Sequence, residues 1–128
     1  MKVITFDEMN KATRKIYLCC PYSHPVDAIK QARFHLANHA AGKLMNMGHY
    51  IFSPISHSHP IDLSLDNSVD HEFWLRQDYV FVLWSEVIAI LQLPGWQEST
   101  GIGVELQWAE ELSKGVVYLP KDFVDTNF

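Results

Sequence analysis

Residues 86–120, EVIAILQLPGWQESTGIGVELQWAEELSKGVVYLP, decide how the rest of the chain is read. EVIAILQL is a compact apolar run and reads as a strand. The segment from Ser99 to Lys114 reads as a helix closed by Gly115, and VVYLP as the next strand. Strands that are almost continuously apolar, alternating with helices, point to a mostly parallel sheet covered on both faces. The helix also holds an anomaly. At about 100° per residue, with Ile102 at the origin, Leu106 falls at about 40°, Ala109 at about 340°, Leu112 at about 280° and Trp108 at about 240°. Glu105 falls at about 300°, inside that apolar arc, whereas Gln107, Glu110, Glu111 and Lys114 lie between about 80° and 180°. A carboxylate in such a stripe is costly to desolvate unless it is paired or hydrogen-bonded.

The same alternation extends outward. RKIYLCC (14–20) is a strand stopped by PYSHP, and VDAIKQARFHLANHAAGKLMNMG (26–48) is a long helix. Pro25 suits its early turn, His24 or the preceding loop its cap, and Gly48 its end. Its apolar stripe is Val26, Ile29, Leu36, Ala37, Ala40, Leu44 and Met47. HYIFSP (49–54) is another strand, and ISHSHPIDLSLDNS (55–68) reads as a polar, turn-rich loop forming a lid or a site wall. VDHEFWLRQDYVFVLWS (69–85) reads as a helix whose deepest positions are Val69, Phe73, Val80 and Leu83. KVITF (2–6) is a short edge strand or an ordered arm. The expected fold is α/β: residues 1–128 as one domain, a three-layer sandwich with a four- or five-stranded, mostly parallel sheet, flavodoxin/Rossmann-like. Ligands in such sheets bind beyond the C-terminal strand ends. Those ends carry CCPYSHP, SPISHSHP and LPGWQESTGIG, so the three unusual polar segments converge on one rim.

Bulk properties remove several function classes. The chain has 128 residues, is 48% hydrophobic and 20% charged, and carries a formal net charge of −5. It shows no basic stripe of the kind that polymeric nucleic acid requires, although a single nucleotide, held by backbone N–H groups and hydroxyls, remains possible. No apolar run approaches the length of a membrane span, and the N-terminus lacks a signal-peptide core; the cytoplasm is the expected location. The two cysteines, Cys19 and Cys20, are adjacent. Neighbouring strand side chains point to opposite faces, so two free buried thiols are expected rather than a disulfide.

The rim segments supply the candidate chemistry. Ser99 is either a plain helix cap or, with the following N–H groups, Gly101 and Gly103, part of an anion cradle. Glu105 is either a buried carboxylate tied to a tyrosine, a histidine or the backbone, or an inward-facing nucleophile or base. Asp78, with His71 and Glu72 on the same helix, belongs to a solvated face unless it shares a pocket with Glu105, where paired carboxylates divide roles. Tyr17 is core or orients a carboxylate, and Arg33 snorkels or reaches the rim as a counter-charge. Trp96, Pro21, His57 and His59 are further candidate ligand contacts on the rim, and Trp96 and Trp108 candidate stacking or subunit-contact residues. His35 and His39 fall opposite the apolar arc of their helix, and no metalloprotease pattern exists, so no metal site is expected.

The segments IYLCCPYSHP, GHYIFSPISHSHP, FWLRQD, AILQLPGWQESTGIGVELQWAEEL and VVYL, in that order, span roughly residues 15 to 120. In them the chain resembles the nucleoside 2-deoxyribosyltransferase-like superfamily, and within it a small bacterial and phage group. The resemblance implies that Glu105 attacks the anomeric carbon of a nucleoside and that Asp78 positions or protonates the base. Ser99 stands where nucleoside transferases have an aspartate touching the sugar's 5′ side, and where related nucleotide N-glycosidases have a serine holding the 5′-phosphate. Tyr17 stands where relatives carry an aromatic residue near the nucleophile. Cys19 and Cys20 depart from the small residues usual there. The implied ligand is a nucleoside or nucleoside 5′-monophosphate, with no cofactor, in a homodimer or higher homo-oligomer. A non-catalytic nucleotide or nucleotide-signal binding module is the alternative.

Overall fold

Strands β2 (Lys15–Cys19) and β4 (Val87–Ile90) pair in parallel at the heart of the sheet, with Ile16 opposite Val87 and Cys19 opposite Ile90. Every residue of β4 is buried, as is β2 from Ile16 onward, which is why both read as unbroken apolar runs. A computed structural model of the chain describes residues 2–126. Its five strands are all parallel, adding β1 (Lys2–Val3), β3 (Tyr50–Phe52) and β5 (Gly115–Tyr118) in the order β1-β5-β4-β2-β3. Leaving β1 aside, this is the flavodoxin-like order, so the fold is the expected α/β three-layer sandwich of flavodoxin/Rossmann-like topology.

The alternation of β2 divides the core in two. Ile16, Leu18 and Cys20 pack under helix α2 (Asp27–Asn46), whose buried face is Leu36, Ala37, Ala40, Ala41 and Leu44. Tyr17 and Cys19 face the opposite layer, built on helices α4 (His71–Trp84) and α5 (Thr100–Glu111), which contribute Val82, Ile102 and Ala109. Both thiols are free and buried, one in each layer. Short caps delimit the elements. The Thr5 hydroxyl accepts from the Glu8 N–H at 3.0 Å and starts α1 (Phe6–Met9), so KVITF is a two-residue edge strand that runs into a helical turn. His24 Nδ1 accepts from the Val26 N–H at 3.0 Å ahead of α2, and Gly48, at φ 97°, ends that helix as expected.

Several expectations need correction. Residues 55–68 are not a loop throughout: Pro54–Leu63 form helix α3. Ser53 caps it, Pro54 suits its first turn, and Pro60 lies inside it. Its buried residues are Pro54 and His59, so no apolar stripe announced it. On α4 the predicted deep positions face outward, with Phe73, Val80 and Leu83 exposed by 41%, 58% and 48%. Its inner face is Trp74, Leu75, Asp78, Phe81 and Val82, and the inward Asp78 breaks the periodicity that would have revealed it. Finally, α5 ends before Lys114, and Ser113, at φ 54°, takes the left-handed conformation there; Gly115 opens β5 instead. At the ends of the long α2 stripe, Val26, Ile29 and Met47 are exposed.

The orientation of α4 is directly testable. Val82→Ala should lower unfolding stability by about 2 kcal/mol in urea titrations, whereas Val80→Ala should change it by less than about 0.5 kcal/mol. Equal losses would return α4 to the orientation that its apolar spacing suggests.

Candidate active site

The chain leaves β2 through α2 toward β3 on one side and leaves β4 through α5 toward β5 on the other. The loops beyond these paired strands therefore part, opening the crevice in which doubly wound sheets bind ligands. A cavity of about 750 Å³ occupies it. All three rim segments line it, through Tyr22 and His24, through His59, and through Glu98, Ser99 and Gly101; α4 adds Trp74, Leu75 and Asp78.

One side chain ties the two sides together. Arg33 of α2 donates from Nη1 to the Ser23 carbonyl at 3.0 Å and from Nη2 to the Pro94 carbonyl at 3.2 Å. Arg33 thus reaches the rim. Gly95 beside it sits at φ +90°, where a side chain would be strained, and a Cβ there would come within 2.8 Å of Arg33 Nη2 and push the guanidinium aside.

At the far end of the crevice α5 begins. The Ser99 hydroxyl accepts from the Ile102 N–H at 3.2 Å, capping the helix, while Ser99, Thr100 and Gly101 line the cavity. One turn further, Glu105 faces the sheet with only 9% of its surface exposed. Burial pushes its carboxyl up to about 8; the Tyr17 hydroxyl and the Cys19 thiol, both rising from β2 on this face, oppose the shift, and the charge of Asp78 adds to it. The Tyr17 oxygen is buried without a hydrogen-bond partner of good geometry, so its contact with Glu105 is an electrostatic approach rather than a formed bond. Burial likewise pushes Asp78 up to about 7, and its Oδ1 is buried without a partner. Tyr17 and Cys19 are themselves raised, first by burial and then by the Glu105 charge, so both keep their protons and have them to donate to its carboxylate.

Of the candidate site residues singled out in the sequence, Glu105, Asp78, Ser99, Gly101, His59, Arg33, His71 and Trp108 line the cavity, with Tyr17 directly beneath Glu105. The others lie elsewhere. Gly103 is exposed, with open space where a Cβ would stand, and Pro21 is buried behind the wall, its carbonyl accepting from the Cys20 thiol at 3.4 Å. Trp96 packs on Tyr118 at a ring separation of 5.7 Å, and the exposed His57 tilts over Phe52 at 5.5 Å. His59 is a wall residue with both ring nitrogens bonded to protein groups. His35 and His39 are exposed, and among the described residues no group of three His, Cys, Asp or Glu side chains is arranged to hold a metal. Sequence reasoning missed Tyr22, Trp74, Asp62 and Glu98 as lining residues. Trp74 lies four residues before Asp78 and was findable once Asp78 faced inward; Asp62 was hidden by reading α3 as a loop.

Residues 14–120 match the family described as a domain of unknown function (DUF1937). The chain belongs to that family. The DUF1937 segment runs from just before β2 to just after β5 and holds every lining residue of the cavity, leaving only β1, α1 and the C-terminal tail outside. No curated protein matches the chain.

The two raised carboxyls make stability fall with pH. Glu105 binds its proton more tightly folded, at about 8, than at the ordinary 4.5, so its protonated form contributes stability fully below the ordinary value. That contribution is lost as pH rises toward the folded value. Glu105→Gln should therefore gain on wild type as pH rises, reaching on the order of 3 kcal/mol at about pH 9 in thermal or urea melts. A difference independent of pH would mean that the carboxyl is not desolvated.

Proposed function

We propose that the cavity binds a nucleoside or nucleoside 5′-monophosphate and that Glu105 cleaves its N-glycosidic bond, releasing the base to water or exchanging it for another. The observation that carries this reading is the burial of two carboxyl groups, Glu105 and Asp78, at one cavity on the sheet's switch point. The resemblance to the nucleoside 2-deoxyribosyltransferase-like superfamily supplies the reaction class.

The reactive form of the pair carries one proton, on Asp78, the less populated of its two arrangements because Glu105 holds a proton more tightly. With the proton on Asp78, a Glu105 carboxylate oxygen bonds to C1′ as the C1′–N bond breaks through an oxocarbenium-like transition state. The bonding pair leaves with the base, which takes the Asp78 proton directly or through a water. Water then attacks C1′, gives its proton to the Asp78 carboxylate, and releases Glu105 as a carboxylate; an acceptor base in its place gives transfer. Tyr17 and Cys19 stabilise the charged form of Glu105 from below. Ser99 and the first N–H groups of α5 anchor the 5′ end, turning remote binding energy into orientation. The same resemblance carries a homodimer or larger assembly, for which the exposed Phe73, Val80 and Leu83 on α4 offer an apolar surface.

A binding module without catalysis is the second reading. The observation in its favour is the raised Glu105, whose carboxyl keeps its proton below about pH 8 and is then a weak nucleophile.

Chromatography of nucleosides and 5′-monophosphates incubated with wild type and Glu105→Ala, with and without an acceptor base, separates the readings. Wild type should release free base, and Glu105→Ala should lose on the order of a thousandfold or more in rate. Turnover that survives in Glu105→Ala would remove the nucleophile, and equal binding by both proteins without turnover would leave the binding module. For the active protein, kcat/KM should be bell-shaped in pH, with limbs at about 7 and about 8, the range in which the pair holds one proton.

A further inference from the structure

The cavity wall built by the β2–α2 loop and α3 carries a chain of side chains that the glycosidic chemistry does not use. The Tyr22 hydroxyl is hydrogen-bonded to His59 Nδ1. His59 Nε2 meets Gln31 Oε1 at 3.2 Å, and Gln31 Nε2 meets His35 Nε2 at 3.2 Å. Tyr22 and His59 line the cavity, whereas His35 is exposed on α2. Phe34 stacks on the His59 ring at 4.2 Å and fixes its plane. The chain thus runs unbroken from solvent to the ligand space.

Hydrogen bonding gives the chain a direction. With His35 neutral and accepting at Nε2, Gln31 turns its amide NH₂ toward His35 and its oxygen toward His59. His59 must then donate from Nε2, which leaves Nδ1 as an acceptor. Tyr22 therefore donates its only proton to His59 and has only lone pairs left for the cavity.

We propose that this chain sets Tyr22 as an acceptor-only ligand contact, so that the ligand group seated against it is a donor, a sugar hydroxyl or an exocyclic amine, and that protonating His35 reverses the contact. A protonated His35 can only donate; Gln31 must then turn its oxygen outward and its NH₂ toward His59, which moves its own proton to Nδ1 and donates to Tyr22. The Tyr22 hydroxyl is freed to donate into the cavity. Around the chain stand Lys30, over the Tyr22 ring at 5.6 Å, Asp27 on α2 and Asp62 on α3, with His39 one turn beyond His35. Burial first, then Lys30, lowers His59, which favours its neutral form. The identity of the donor as part of a nucleoside rests on the function proposed above; the polarity of the wall does not.

Long-range ¹H–¹⁵N spectra of the imidazoles read the tautomers directly. At about pH 8, His59 should carry its proton on Nε2, and acidification should move it to Nδ1. His35→Leu should abolish that response. An Nδ1–H form at about pH 8, or the same response in His35→Leu, would overturn the chain. In calorimetry, Tyr22→Phe should weaken the nucleoside or 5′-monophosphate that wild type binds roughly fivefold at about pH 8. Unchanged affinity would overturn the contact. If wild type binds no member of the panel, the ligand class falls while the spectra still decide the polarity of the wall.

Discussion

Strand β2 must satisfy two cores at once. Placed between β3 and β4 with a helical layer on each side, it has no face to give to water, and its residues alternate between the α2 layer and the α4–α5 layer. The other features follow from that constraint. The connections from β2 and β4 depart in opposite directions because each must cover a different face, and the crevice is where they part. Tyr17 and Cys19 lie beneath Glu105 because they are the two β2 residues facing the α5 layer near the open end of the strand.

The cost of the site falls on its polar groups. Glu105 and Asp78 are both desolvated, and neither has a lysine or arginine among the causes of its shift. A well-paired cation would have lowered both groups. It would also have fixed both carboxylates in the charged form and removed the ability to exchange a proton near neutrality. Arg33, the arginine of the cavity, is instead held by the Ser23 and Pro94 carbonyls. Its charge is spent on holding two loops together.

Legibility in the sequence followed burial. Strands β2, β4 and β5 and helices α2 and α5 bury continuous runs or clean stripes, so their periodicity carried the fold. Helix α3 escaped because its buried positions are a proline and a histidine, residue types that normally mark loops. The inner face of α4 was misread because Asp78 interrupts it, while Phe73, Val80 and Leu83 form a stronger stripe that points outward. Glu105 was legible for the opposite reason: a carboxylate in an otherwise apolar arc is conspicuous where an aspartate on a mixed face is not. Tyr22 carried no periodic signal, since its place in the wall comes from a loop and from a partner 37 residues away.

The two-residue strand β1 adds little core, yet it lies against β5 and, like α1, falls outside the matched family segment. Without it, the fully apolar β5 would present an unpaired row of N–H and C=O groups at the border of the sheet. Such borders template the growth of sheets from one molecule to the next. Lys2 and Val3 cover the first half of that margin, opposite Gly115 and Val116, with a strand only two residues long, while Ile4, Phe6 and Met9 behind it pack into the α2 layer.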